Sequence, residues 1–114
     1  MKIGILGGGQ LARMLALAGY PLGLQFIVLD PDNHAGAAGL SHHLLGAYNN
    51  PELLAKLADE ADVVTYEFEN VPAEVATFLA SRTRVYPPAQ ALAVAQDRLL
   101  EKNFFKELQI GTAP

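Results

Sequence analysis

Cysteine is missing from the 114 residues, so neither a disulfide nor a thiolate metal centre can contribute. Positive charge is scarce as well. Eight Lys and Arg stand against twelve Asp and Glu, a net charge of -4, which excludes a surface built wholly for nucleic acid or anionic membrane. No apolar run approaches the length needed to span a bilayer. No signal peptide is visible, because Met1-Lys2 leads straight into a short strand-like run broken at Gly7. These absences leave a soluble, cytoplasmic domain as the expectation. With 51% apolar residues, the chain can bury one ordinary core.

Strand and helix signals alternate along it. Lys2 to Leu6 and Gln25 to Leu29 read as buried strands, with Ser41–Leu45, Asp62–Tyr66 and Arg84–Tyr86 as shorter ones. Between the first two, Leu11, Met14, Leu15 and Ala18 recur at the spacing of one helix face, which predicts Met14 facing the core and a helix ending at Gly19. Asn50-Pro51 reads as a cap and first turn for ELLAKLADEA. Further helices are expected from Pro72 to about Ala80, over Ala89–Ala95, and from a cap at Asp97 to Leu108. The alternation predicts an α/β fold: a Rossmann-like, three-layer α/β/α unit around a mostly parallel sheet. The final QIGTAP reads as the entry to a further element.

Gly7-Gly8-Gly9-Gln10-Leu11-Ala12 fits G-x-G-x-x-A between strand and helix. In that pattern the first glycine permits a tight turn and the second admits a ligand to the backbone. The small third residue lets helix and strand pack closely. The helix start would offer free N–H groups and partial positive charge. One reading is a nicotinamide-dinucleotide domain, with Asp30 at the end of the second strand as the ribose-binding acid. Two features oppose it: the second half is short and ends in helices, and the segment YEFEN brings Glu67 and Glu69 to a strand end beside the glycines. Two carboxylates disfavour a pyrophosphate and suit a ligand presenting amines or hydroxyls. Glu67, nearer the strand, is the stronger candidate for ligand contact; Glu69 divides evenly between contact and helix cap.

Taken together, GGGQLARML, LDPD, YNNPELL, VVTYEFENVP and AQDRLLEKNFFKELQIGTAP resemble the 5-(carboxyamino)imidazole ribonucleotide synthetases, ATP-grasp ligases of purine biosynthesis. The resemblance covers essentially the whole chain, and EFENVP and AQDRLLEK carry more of it than the glycines do. It implies a pre-ATP-grasp domain over residues 1–96 and, over 97–114, a helix and linker leading toward an ATP-grasp domain. It implies an enzyme that takes 5-aminoimidazole ribonucleotide, ATP with magnesium, and bicarbonate. Carboxyphosphate forms first and the substrate amine then captures the carboxyl. It also implies a homodimer. By position, Gly9, Gln10, Leu11 and Glu67 correspond to substrate contacts, and Arg98 to a basic position that touches ATP. The resemblance also shifts the glycines from phosphate capture toward close approach of the ribonucleotide. The 114 residues themselves are expected to be inactive and to hold no cofactor tightly.

The remaining candidates have plainer readings. His34, His42 and His43 read as surface or packing residues without a matching acidic cluster. Tyr66, Phe68, Phe104 and Phe105 read as core or interface aromatics. Arg13 is a possible electrostatic helper near the loop, and Lys102 a surface charge. An excised folding or assembly scaffold, with Leu100, Phe104 or Phe105 uncovered on the last helix, is the alternative outside enzymology.

Overall fold

A computed structural model describes residues 1–68 and 70–114. The expectation for Glu69 therefore lies outside the described residues. Among the described residues, five strands form one sheet in which every pairing is parallel: β1 (Lys2–Leu6), β2 (Gln25–Asp30), β3 (His42–Leu45), β4 (Val63–Tyr66) and β5 (Arg84–Val85). Their spatial order is β3-β2-β1-β4-β5. Helices are α1 (Gln10–Gly19), α2 (Pro51–Glu60), α3 (Ala73–Ala80), α4 (Ala89–Gln96) and α5 (Arg98–Glu107). No helix among the described residues is long and apolar enough to cross a membrane.

Two cores cover the two faces of the sheet. On one side α1 and the turn segment after β2 bury Ile5, Ala12, Ala16, Phe26, Val28 and Ala37. On the other, α2, α3 and α4 close over Leu6, Leu29, Leu57, Val64, Leu79 and Leu92, with Tyr66 and Phe68 packed at the edge. Side chains of a strand alternate between faces, so Ile5 and Leu6 serve different cores. Asn50 caps α2, its Oδ1 accepting the amides of Glu52 at 3.0 Å and Leu53 at 3.2 Å. Asp97 caps α5 in the same way through Leu99 and Leu100.

The structure corrects the expected inward face of α1. Leu11, Met14 and Leu15 are 57%, 57% and 45% exposed, and the buried positions are Ala12, Ala16 and Gly19. The reason is the closeness of helix to sheet. A Cβ on Gly19 would stand 2.5 Å from the Phe26 ring, so only the small-residue stripe fits against β2. Periodicity located the helix and picked the wrong side of it. On α5, Leu100 and Phe104 are indeed exposed.

Crossovers from β1 and β2 use one face of the sheet, and those from β3 and β4 use the other. Strand order therefore reverses between β1 and β4. Ligands of open parallel sheets bind in the crevice at the carboxyl ends of two such strands.

Candidate functional site

Leu6 pairs with Tyr66, so the chain segments starting at Gly7 and Glu67 leave the sheet side by side. The ladder extends one step further, the Glu67 amide donating to Leu6 O at 3.2 Å and the Gly7 amide to Leu29 O at 2.9 Å. Gly7 then turns at φ +96°, which directs the following amides toward the crevice. Glu67 reaches across to meet them. Its Oε1 accepts the Gly9 amide at 2.8 Å and its Oε2 the Ala12 amide at 2.9 Å.

A second carboxylate holds the loop from the other side. Asp30 ends β2 and is 7% exposed. Its Oδ2 accepts the Gly8 amide at 2.8 Å and the Tyr48 hydroxyl at 3.1 Å, while Oδ1 accepts the Asp32 amide at 2.8 Å. Ala37 completes the seat, donating to Gly8 O at 2.7 Å. Tyr48 comes from the segment after β3, and its ring meets Phe68 with centroids 5.3 Å apart and planes at 56°.

Two expectations change as a result. The helix start does not offer its N–H groups freely: those of Gly9 and Ala12 already bind a carboxylate, and Gly8 binds another. The anion site of the G-x-G-x-x-A pattern is thus filled by the protein's own Glu67, with only the Gln10 and Leu11 amides left without an acceptor among the described residues. Asp30, read as a ribose contact under the nicotinamide alternative, is instead a buried latch on the loop.

Gly9, Gln10, Leu11 and Glu67 do come together in the structure, with Gln10 and Leu11 exposed at the mouth and Glu67 partly buried behind them. A cavity of about 330 Å³ opens beside Glu67, lined by Tyr66, Phe68, Pro87 and Leu92 among others. Arg98 is not brought to this group. It sits exposed in the first turn of α5, which packs chiefly on α4, and no hydrogen bond or ion pair joins it to the loop among the described residues. Arg13 is exposed, with a 3.4 Å contact to Gly36 O. His42 pairs with Glu60 at 3.2 Å and His43 Nε2 meets Asp30 O at 3.0 Å. No group of three His, Asp or Glu among the described residues could hold a metal ion.

Sequence reasoning missed Tyr48. No local pattern marks it, because its partners lie 18 and 20 positions away and meet only once β3 is in register. Its phenol is pushed up from the ordinary 10.0, first by burial, then by the Asp30 charge, its hydrogen bond to Asp30, and Glu67. Burial also raises Tyr66. The folded chain therefore keeps phenolic protons that the unfolded chain has lost above pH 10, so stability falls as pH rises past about 10. Tyr48→Phe should flatten that fall and leave the part due to Tyr66. Urea unfolding at a series of alkaline pH values measures it; identical slopes for variant and wild type would contradict the partly buried placement of the Tyr48 phenol beside Asp30.

Comparison with known proteins agrees with this architecture. The ribonucleotide synthetase preATP-grasp domain matches residues 1–96. The N5-carboxyaminoimidazole ribonucleotide synthase of Pseudomonas aeruginosa is 55% identical over 98% of this chain and 31% of its own length. Among solved structures, the N5-carboxyaminoimidazole ribonucleotide synthetase of Thermus thermophilus superposes with a TM-score of 0.94 at 55% identity, over 98% of this chain and 31% of that one. An Aspergillus clavatus synthase, solved in complex with ADP and 5-aminoimidazole ribonucleotide, gives 0.89 at 35% identity, over 99% and 31%. The chain thus spans about a third of the length of these relatives. They carry the name of a synthase, and with Asp30 sealed inside, the nicotinamide reading falls. A strand order reversing at a glycine loop, the carboxylate lodged in that loop and the match over residues 1–96 lead to one conclusion: the chain belongs to the ribonucleotide synthetase preATP-grasp domain family.

Proposed function

We propose that this chain is the substrate-facing N-terminal part of an ATP-dependent ligase that carboxylates 5-aminoimidazole ribonucleotide with bicarbonate in purine biosynthesis. The observation that carries the reading is the Glu67 carboxylate on the Gly9 and Ala12 amides. A loop already holding an anion repels a second one. It still presents unused carboxylate lone pairs and the Gln10 and Leu11 amides to a ligand bearing amino and hydroxyl groups. The amino group and ribose hydroxyls of an aminoimidazole ribonucleotide have that chemistry, its phosphate being carried away from the loop, and the names of the similar proteins support it.

In this reading Gly9, Gln10 and Leu11 border the ribonucleotide, and Glu67 both shapes the loop and accepts hydrogen bonds from the substrate. Residues 1–96 form the domain, and 97–114 lead from it toward the catalytic lobes that seat ATP, magnesium and bicarbonate. Arg98 would serve ATP only once those lobes are beside it. The full-length enzyme would be a cytoplasmic homodimer, and the 114 residues by themselves would not turn over.

Glu67→Gln in the full-length enzyme tests the reading. The neutral amide keeps one acceptor and turns its other end into a donor facing a donor. Loss of one charge-assisted bond worth roughly 1.5–3 kcal/mol should lower kcat/KM for the ribonucleotide by about 10–100-fold. Unchanged kinetics would remove Glu67 from the site.

A further inference from the structure

Two carboxylates grip the glycine loop from opposite sides, and one side chain touches the holding apparatus of both. Asp30 holds Gly8, and Glu67 holds Gly9 and Ala12. Tyr48 donates its hydroxyl to the Asp30 oxygen that also receives Gly8, and its ring packs against Phe68, the residue after Glu67. Among the described residues, no other side chain both hydrogen-bonds at the β2 end of the crevice and packs an aromatic ring at the β4 end. We propose that Tyr48 is a positioning residue that sets the separation of the two grips and so presents the backbone of Gln10 and Leu11 to the ribonucleotide.

The inference rests on the reading given above for what the loop binds. Its physical basis is the division of labour within one phenol. The hydroxyl fills the second acceptor direction of Asp30 Oδ2, which keeps that oxygen aimed at Gly8 rather than at water. The ring limits how far the Phe68 segment can swing, and Glu67 swings with it. Removing the hydroxyl alone should loosen one grip, and removing the ring should loosen both.

The test uses the 15N-labelled 114-residue chain as wild type, Tyr48→Phe and Tyr48→Leu. Without ligand, Tyr48→Phe should shift the Gly8 amide resonance and leave those of Gly9 and Ala12 in place. Tyr48→Leu should shift all three. With 5-aminoimidazole ribonucleotide added, Tyr48→Phe should weaken the binding read at Gln10 and Leu11 by about tenfold. A general loss of stability would instead lower the melting temperature without this pattern among the amides. Unmoved Gly8 in Tyr48→Phe overturns the proposal, as does undiminished binding by that variant. Should Tyr48→Leu not fold, Tyr48→Phe decides alone. If the wild type itself ignores the ribonucleotide, the functional reading fails, and the ligand-free amide pattern still decides the role of Tyr48.

Discussion

Gly7→Ala should destabilise the chain by about 2–5 kcal/mol, the sum of a left-handed backbone penalty and a collision that cannot relax in place. Gly7 has φ +96°, which an alanine adopts only with strain. Its new Cβ would also stand 2.6 Å from Glu67 Cγ and 2.7 Å from Oε1. Glu67 must then move, and the Gly9 and Ala12 amides lose their acceptor together. Gly23→Ala is the built-in control. It shares a positive φ, +78°, but faces open space, so it should cost only about 1–2 kcal/mol. Thermal unfolding of both variants separates collision from backbone strain; equal losses would mean that Glu67 does not lean on the loop.

Asp30→Ala is expected to cost about 3–5 kcal/mol. Hydrogen bonds to a buried charge contribute about 1.5–3 kcal/mol each, and an orphaned buried donor adds a penalty of its own. The deletion strands the Gly8 amide, the Tyr48 hydroxyl and the Asp32 amide at once. Asp30→Asn should recover part of this, because its carbonyl can still serve one side. Its NH2 can donate to the Tyr48 hydroxyl but meets a backbone N–H with another donor. Chemical denaturation ranks the three proteins. If alanine were tolerated as well as asparagine, Asp30 would not be the latch described.

Much of the fold was legible because it follows from local rules. Alternating apolar runs and helix signals announced the parallel α/β sheet, and Asn50-Pro51 and Asp97 marked where helices begin. The proximity of the glycine loop to Glu67 was also foreseeable, since adjacent parallel strands deliver their carboxyl ends together. What the loop and Glu67 do to each other was not. A G-x-G-x-x-A pattern reports a backbone able to receive an anion, and here the anion is a side chain from 55 positions away. The same non-locality hid Tyr48 and disguised Asp30, whose place at a strand end suits a ribose contact as well as a latch. The outward apolar face of α1 misled for a different reason: closeness of packing, not hydrophobicity, decided which stripe turned inward.

The similar proteins extend well beyond the region matched here, and the exposed apolar residues of α1 and α5 lie on surfaces that the described residues leave uncovered. The contacts described at the β1–β4 reversal nonetheless lie within this chain, because β1, β2, β4, α1 and the segment after β3 all belong to it. That makes them accessible to a binding experiment free of catalysis.

Titrating the 15N-labelled chain separately with 5-aminoimidazole ribonucleotide, inorganic phosphate and NAD reads the crevice directly. Resonances of Gly9, Gln10, Leu11 and Glu67 should move with the ribonucleotide and stay still with the other two at equal concentration. Equal movement with phosphate or the dinucleotide would mean that the loop is an open anion cradle, contrary to a carboxylate already resting in it.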